Sequence, residues 1–292
     1  MVAGTPPRND SAGPTDPCGT SGPGEVNPAP ARTRHVFGFD FIDDSGFGPT
    51  IDRLVSEQPD DGLLPLVVTP NVDDIVQLSS VSHTVLLAAE QRARYVLPDG
   101  QPIVWTSRLM GTPLTARLPG SSLFPPLWAR LVQDRRRVFL LASSDQVADG
   151  LTAEYTDLVS LVPPFFDAED PTQVRAVIQE AAGLIRRHGP EFVFLGIGFP
   201  KQQRVALGLL EELGADDDPH PLFLLLGGSF NMHLDLSRRA PEWIQKLGVE
   251  WFYRFLLEPR RLFRRYFLTD TKFLPMMIRE VSAARRARGT AA

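Results

Sequence analysis

Two nearly unbroken apolar runs place the tightest constraint on how this 292-residue chain can fold. They are FVFLGIG at 192–198 and LFLLLGG at 222–228, and neither alternates with polar residues as a strand with one solvated face would. Runs of this kind are typical of strands that are buried on both faces of a parallel sheet, because such a sheet carries helices on each face. The two runs therefore predict an α/β architecture.

Helical patterns separate the apolar runs along most of the chain. The predicted strands lie near Val36–Phe41, Leu66–Thr69, Tyr95–Pro98, Val138–Ala142, Asp157–Val162, Phe192–Ile197 and Leu222–Leu226. The predicted helices lie at Gly48–Glu57, Asn71–Glu90 with a break, Gln101–Leu109, Ser121–Gln133, Pro171–His188 and Pro200–Leu213. This alternation predicts a doubly wound, mostly parallel, Rossmann-like sheet, and it ends near residue 230.

The C-terminal region is basic although the chain as a whole is acidic. Residues 236–292 carry thirteen lysines and arginines against five acidic residues, whereas the whole chain has a net charge of −5. Large apolar side chains recur there at intervals of four, and they are Trp243, Leu247, Trp251 and Phe255. We predict a basic helical appendage that meets an anionic partner, either a membrane surface or a nucleic acid.

Cysteine content, hydropathy and histidine spacing indicate which redox environment, membrane segments and metal sites are expected. The single cysteine, Cys18, can form neither an internal disulfide nor a cysteine-based zinc site, which fits a reducing, cytoplasmic environment. No run of eighteen apolar residues occurs, so no transmembrane helix is expected. Residues 1–34 are rich in proline and glycine and lack the hydrophobic core of a signal peptide, so we expect a disordered tail. The five histidines show no metal-ligand spacing, and no metal site is expected.

Small or polar residues follow four of the predicted strands. In open parallel sheets, ligands bind beyond the carboxyl ends of the strands, so these residues are candidates for a binding site. They are Thr69-Pro70-Asn71, Asp99-Gly100, Gly198-Phe199-Pro200-Lys201-Gln202 and Gly227-Gly228-Ser229. Their chemistry suits a phosphate or a sugar.

Each of these segments also has a plainer structural interpretation. Asp99 is either a general base that accepts a proton from a hydroxyl or the first residue of a tight Asp-Gly turn. Lys201, in the first turn of a helix, either binds an anion together with free backbone N–H groups or is a surface lysine. Gly227-Gly228 either lets a ligand approach the backbone or makes a turn. Gly196-Ile197-Gly198 lacks the third glycine of a dinucleotide fingerprint, which argues against nicotinamide binding.

From about residue 36 to 268 the chain resembles the WecG/TagA/CpsF family of bacterial glycosyltransferases. Any one short motif is weak evidence, but the order and spacing of the whole set are highly specific. The motifs are Thr69-Pro70-Asn71, Leu97-Pro98-Asp99-Gly100 with Trp105 and Arg108, Gly111–Leu114, Arg117–Ser121, Gly196–Gln202, Gly227–Phe230, Arg239–Trp243, Leu247–Trp251 and Glu258–Arg261.

The resemblance implies an inverting, metal-independent transferase without a cofactor at the cytoplasmic face of the plasma membrane. Such an enzyme moves N-acetylmannosamine, its uronic acid or a related hexose from a UDP donor to a polyprenyl-diphosphate-linked acceptor in cell-surface polysaccharide synthesis. Asp99 would deprotonate the acceptor hydroxyl, Thr69 and Asn71 would line the donor site, and Arg117 and Gln202 would contact diphosphate or sugar. The other expected substrate-binding residues are Gly100, Lys201, Gly227 and Gly228.

The composition, the periodicity and the resemblance together divide the chain into four segments. We expect a tail at 1–34, a nucleotide-sugar-binding catalytic domain at 35–235, a membrane-docking helical appendage at 236–275 and a basic tail at 276–292. The arginines expected at the acceptor diphosphate and at an anionic membrane surface are Arg254, Arg260, Arg261, Arg264 and Arg265. Self-association is typical of the family and favours a homo-oligomer.

The chain departs from the family pattern at several positions. Ser122 and Asn231 stand where the family usually has Asp, and Gln203 stands where it commonly has Glu. Leu141-Ala142-Ser143-Ser144 lacks the usual glycine pair. These departures leave open a relative that binds nucleotide-sugar without turnover.

A second alternative is a nucleic-acid-binding protein that uses the arginines and aromatic residues of the C-terminal region. We favour the membrane surface, because nucleic-acid binding would not require polar residues at four strand ends. An amphipathic basic helix at a membrane would also bring the catalytic domain to a lipid-linked acceptor.

Overall fold

The computed structural model describes residues 31–56, 62–214, 221–236 and 272–289. The strands in these ranges are β1 Thr33–Val36, β2 Phe39–Ile42, β3 Leu64–Val68, β4 Ala93–Val96, β5 Val138–Leu141, β6 Val159–Leu161, β7 Phe192–Leu195 and β8 Leu222–Leu225. They form one sheet in the order β1-β2-β4-β3-β8-β7-β5-β6, and every neighbouring pair except β1–β2 is parallel. The predicted mostly parallel α/β fold is confirmed.

Helices connect the parallel strands. Those in the described ranges are α1 Phe47–Val55, α2 Val72–Leu78, the 3₁₀ helix Val81–His83, α3 Thr84–Gln91, α4 Gln101–Leu109, α5 Gly120–Gln133, α6 Asp145–Glu154, α7 Pro171–His188, α8 Lys201–Leu213, α9 Ser229–His233 and α10 Phe273–Gly289. The predicted bounds of α4 and α7 agree with the structure to the residue. The sequence did not predict α6, whose buried apolar face consists of only Val147, Ala148 and Leu151.

The sheet lies between two hydrophobic cores, one on each face. Along β7, Val193 and Leu195 belong to the core that includes α2, α7, α8 and α10. Phe192 and Phe194 belong to the opposite core, which includes α1, α5, α6 and α9. All four side chains are almost completely buried, and each contributes roughly 1.5–3 kcal/mol by leaving water. Burial on both faces explains why the run of apolar residues is unbroken.

One predicted strand is wrong. The run Val36–Phe41 is not a single strand but a hairpin, in which β1 and β2 pair antiparallel around Phe37 and Gly38. Both turn residues have positive φ, 54° and 79°, as two-residue hairpin turns with a right-handed strand twist require. The apolar residues on either side concealed the turn. The Phe37 amide donates a hydrogen bond to Glu280 Oε1 at 2.9 Å, so distant residues hold this turn.

The C-terminal helix α10 packs on the α/β body. It contacts α2 and α4, and its buried residues are Phe273 and Val281. The Phe273 ring lies 4.9 Å, centroid to centroid, from the ring of Phe37. Residues 237–271, which form most of the predicted basic appendage, lie outside the described residues. None of the helices within the described ranges is both long enough and apolar enough to cross a membrane.

Candidate active site

A cleft of about 880 Å³ opens at the carboxyl ends of β3, β4, β7 and β8. Strands β3 and β8 are neighbours, and the helices that follow them leave on opposite faces of the sheet: α2 contributes Ile75 to one core and α9 contributes Phe230 to the other. Such a divergence creates the crevice in which doubly wound α/β proteins bind ligands. The predicted site residues that line the cleft are Thr69, Asn71, Asp99, Gly100, Arg117, Gln202, Gly227 and Gly228.

Backbone hydrogen bonds hold the chain in place before and after Asp99. The Leu97 amide donates to the carbonyl of Val68 at 2.9 Å, and the Leu118 amide donates to the carbonyl of Pro98 at 2.8 Å. Gly100 follows with φ of 146°, a conformation that side-chain-bearing residues rarely adopt, and turns the chain into α4. The half-buried Asp99 carboxylate is therefore held at the end of β4 and at the wall of the cleft.

The N-terminus of α5 reaches the cleft because its first residue is a glycine. A Cβ atom on Gly120 would lie 3.2 Å from Thr69 Oγ1 and 3.3 Å from Ser229 Oγ, which is tighter than ordinary contact. The N-cap residue of this helix, Pro119, makes no side-chain capping bond. Backbone N–H groups at such a helix start attract anions, and Arg117 lies just before it. Arg117 is also the cationic side chain that lines the cleft within the described ranges.

Asn71 lines the cleft and also caps α2. Its side-chain oxygen accepts hydrogen bonds from the amides of Asp73 at 2.9 Å and Asp74 at 3.3 Å, while Asp74 Oδ2 accepts from the Asn71 amide at 3.1 Å. This reciprocal arrangement is a capping box. Because the side-chain oxygen of Asn71 already accepts two hydrogen bonds in the capping box, a contact between this side chain and a ligand would use its amide nitrogen.

Gln202 holds the turn after β8. Its side-chain oxygen accepts a hydrogen bond from the Gly227 amide at 3.1 Å, and Gly227 has φ of 52°. The Gln202 amide nitrogen donates to no group in the described part of the chain, and the residue lines the cleft. One end of this side chain therefore positions the glycine turn, and the other can donate to a ligand.

Lys201 is the predicted site residue that does not line the cleft within the described ranges. Its Nζ atom lies 4.4 Å and 4.5 Å from the ring centroids of Phe165 and Phe166, a cation–π contact with the loop after β6. The next two residues of α8, Gln202 and Gln203, line the cleft, whereas the ammonium group of Lys201 lies against this loop. The five arginines Arg254, Arg260, Arg261, Arg264 and Arg265 lie outside the described residues.

A buried pair, Glu90 and Gln203, also lines the cleft. Gln203 Nε2 donates to Glu90 Oε1 at 2.9 Å, and the two side chains are only 6% and 3% exposed. Burial raises the pKa of Glu90 to about 8; the Gln203 hydrogen bond opposes this rise, and the charge of Asp74 adds to it. The sequence singled out Gln203 only as a departure from a family pattern and missed Glu90. The available signal was that Glu90 follows Leu86 by four residues on the buried face of α3.

The described residues contain no group of three or more His, Cys, Asp or Glu side chains that could hold a metal ion. The cleft thus combines a carboxylate at a strand end, an arginine beside a helix N-terminus, an amide donor and a glycine turn. These groups can accept a proton from a hydroxyl, bind a diphosphate and let a ligand approach the backbone.

Most of the chain is similar to known proteins. The profile of the Glycosyl transferase WecG/TagA/CpsF family matches residues 35–287. A relative from Bacillus subtilis (strain 168), named N-acetylglucosaminyldiphosphoundecaprenol N-acetyl-beta-D-mannosaminyltransferase, is 29% identical over 211 residues, which are 72% of this chain and 78% of the relative. A relative of the same name from Staphylococcus aureus (strain NCTC 8325 / PS 47) is 26% identical over 225 residues, 75% of this chain and 80% of the relative. The resemblance found in the sequence is confirmed.

Proposed function

The chain belongs to the WecG/TagA/CpsF family of glycosyl transferases, and we propose that it transfers a sugar from a UDP donor to a polyprenyl-diphosphate-linked acceptor sugar. The observation that carries this proposal is the convergence of Asp99, Arg117 and Gln202 on one cleft at the carboxyl ends of the strands. These side chains supply a base, a cation and an amide donor at a place where α/β proteins bind ligands.

In the proposed reaction the acceptor hydroxyl attacks the anomeric carbon of the donor sugar. Asp99 accepts the hydroxyl proton as the new C–O bond forms, and the bond between the anomeric carbon and the diphosphate oxygen breaks. UDP leaves with the bonding electrons. Arg117 and the N-terminal amides of α5 stabilise the negative charge that develops on its diphosphate.

The names of the relatives support a finer assignment of the substrates. Both relatives are N-acetyl-β-D-mannosaminyltransferases whose acceptor is N-acetylglucosaminyl-diphosphoundecaprenol. We propose an N-acetylmannosamine-type donor and an acceptor of this class for the present chain. A β-linked product from an α-linked UDP-sugar requires inversion, which a single displacement with one carboxylate base achieves.

A donor screen tests the proposed function. We expect the purified chain to release UDP from an N-acetylhexosamine donor only when a synthetic lipid-diphosphate-linked N-acetylglucosamine is present, because the acceptor hydroxyl is the nucleophile. UDP release is measured for each UDP-sugar with and without that acceptor. Failure to release UDP with any donor would favour instead a relative that binds nucleotide-sugar without turnover.

We further propose that the enzyme works at the inner face of the membrane, docked by the basic C-terminal region. Each basic residue near an anionic leaflet contributes about 1 kcal/mol to binding. We expect replacement of Arg254, Arg260, Arg261, Arg264 and Arg265 by Gln to lower co-sedimentation with phosphatidylglycerol vesicles by roughly tenfold or more. Phosphatidylcholine vesicles are the control. Equal sedimentation of the wild type and the variant with anionic vesicles would show that these arginines do not dock the protein.

A further inference from the structure

One group of cleft residues has no part in the mechanism proposed above. They belong to α2, α3, α8, α10 and the segment before α8, and they are Asp74, Gln77, Glu90, Phe199, Gln203 and Phe273. Glu90 and Gln203 are the most deeply buried polar members, and they come from helices that are far apart in the chain. Buried polar atoms require hydrogen-bond partners, so an atom of these two side chains that lacks a partner within the protein indicates what a ligand would supply.

The Glu90–Gln203 pair leaves a hydrogen-bond acceptor unused. Gln203 Nε2 donates to Glu90 Oε1, whereas Gln203 Oε1 is buried without a hydrogen-bond partner among the described residues. A buried acceptor without a donor is unfavourable, because it has lost water and gained nothing in exchange. A ligand N–H group that reached this oxygen would remove that cost.

The charge around the pair selects an uncharged ligand group. Because burial raises the pKa of Glu90 to about 8, its carboxyl is largely protonated at neutral pH and can itself donate a hydrogen bond. The Asp74 carboxylate acts on Glu90 from α2 and disfavours a second negative charge there. A phosphate is therefore disfavoured in this part of the cleft, in contrast to the region beside Arg117.

Two aromatic side chains supply an apolar wall to the same group of residues. Phe199 packs its ring against His83 at 5.2 Å between centroids, and the nearly buried Phe273 packs against Phe37. An N–H donor, a carbonyl acceptor and a small apolar group are combined in an acetamido substituent. Its N–H would pair with Gln203 Oε1, its carbonyl oxygen would accept from protonated Glu90, and its methyl group would contact the rings.

We propose that Glu90 and Gln203 bind the acetamido group of a substrate sugar and thereby make the enzyme select N-acetylated sugars over their unmodified counterparts. This inference rests on the proposed function and names a specificity determinant within it. The acetamido group can belong to the donor sugar or to the acceptor sugar, because the relatives' names carry one on each.

Matched substrate pairs test the inference and separate the two sources. The donor pair is UDP-N-acetylmannosamine and UDP-mannose with a constant acceptor. The acceptor pair is N-acetylglucosamine and glucose on the same lipid diphosphate with a constant donor. We expect the wild type to favour the acetylated member of one pair, and the double variant Glu90→Leu/Gln203→Leu to lower that kcat/KM ratio by roughly 10- to 100-fold, as expected for the loss of buried hydrogen bonds.

Two further variants keep the outcome interpretable. Gln203→Met removes the amide at nearly constant length and should lower the same ratio if the double variant folds poorly, and the exposed Gln179→Leu on α7 should retain it. If Glu90 and Gln203 had a purely structural role, their replacement would lower kcat/KM by the same factor for the acetylated and the unmodified substrate. An unchanged ratio in correctly folded variants would therefore overturn the inference while leaving the proposed function intact. Absence of transfer by the wild type would instead overturn the proposed function, and the inference with it.

Discussion

Replacement of Asp99 by Asn is expected to lower kcat by roughly 10²- to 10⁴-fold, the usual contribution of a general base. The amide has nearly the shape of the carboxylate but cannot accept the acceptor's proton. The backbone around residue 99 is held by hydrogen bonds of Leu97 and Leu118, so the change should leave the cleft in place. Steady-state UDP release with saturating donor and acceptor measures the effect.

Two measurements separate the loss of a base from the loss of a binding site. Calorimetric titration with UDP should give a similar Kd for the wild type and for Asp99→Asn, because the diphosphate is assigned to Arg117 and α5. The exposed Asp145→Asn, in the first turn of α6, serves as a control for a carboxylate-to-amide change and should retain wild-type kcat. Wild-type turnover by Asp99→Asn would assign the proton transfer to another group.

The second large effect is expected from Gln203→Glu, which places two carboxyl groups at hydrogen-bonding distance in a buried site. Gln203 Nε2 is 2.9 Å from Glu90 Oε1, and two carboxylates this close cannot both be ionised. We expect the free energy of unfolding to fall by about 3 kcal/mol at pH 7, since the variant would bury a negative charge there that the wild type, with Glu90 largely protonated, does not carry. Urea unfolding followed by circular dichroism measures the change.

The exchanged pair Glu90→Gln/Gln203→Glu is the matched control. It restores one carboxyl and one amide in reversed positions, so its stability should return to within about 1 kcal/mol of wild type. If Gln203→Glu alone were as stable as the wild type, the hydrogen bond between residues 90 and 203 would not exist in solution.

The same pair predicts how stability depends on pH. The pKa of Glu90 is raised from 4.5 to about 8 in the folded protein, so the folded state holds its proton where the unfolded state has already lost it. Below pH 4.5 Glu90 is protonated in both the folded and the unfolded state and does not lower the free energy of unfolding. As the pH rises from 4.5 towards 8, Glu90 lowers the free energy of unfolding by at most about 1.4 kcal/mol per pH unit. Glu90→Gln should remove this part of the pH dependence of unfolding.

Much of the fold could be predicted because its signals are local. The runs at β7 and β8 are apolar over their whole length, and the helix Pro171–His188 carries a proline at its start and ends at Gly189 in a left-handed conformation. The hairpin at 33–42 was misassigned because its two strands share one apolar stretch, and the turn between them is held by Glu280. A contact so distant in sequence leaves no periodic pattern.

Some residues of the candidate site could likewise be placed from local sequence signals, and others could not. Thr69, Asp99 and Gly227 could be placed at one edge from the sequence, because the carboxyl ends of parallel strands share an edge. Lys201 could not be placed correctly, because the sequence does not show which loop packs beside its side chain. Its ammonium group lies against Phe165 and Phe166.

The sequence by itself determined the parallel sheet, the polar strand ends and the family. Only the tertiary structure decided that Glu90 and Gln203, 113 residues apart, meet in the wall of the same cleft. The physical reason is that hydrophobic periodicity specifies which side of an element is buried, but not which element covers it. Which element covers another depends on the order of the strands in the sheet. That order buries Glu90 beside Gln203 and thereby raises the pKa of its carboxyl group.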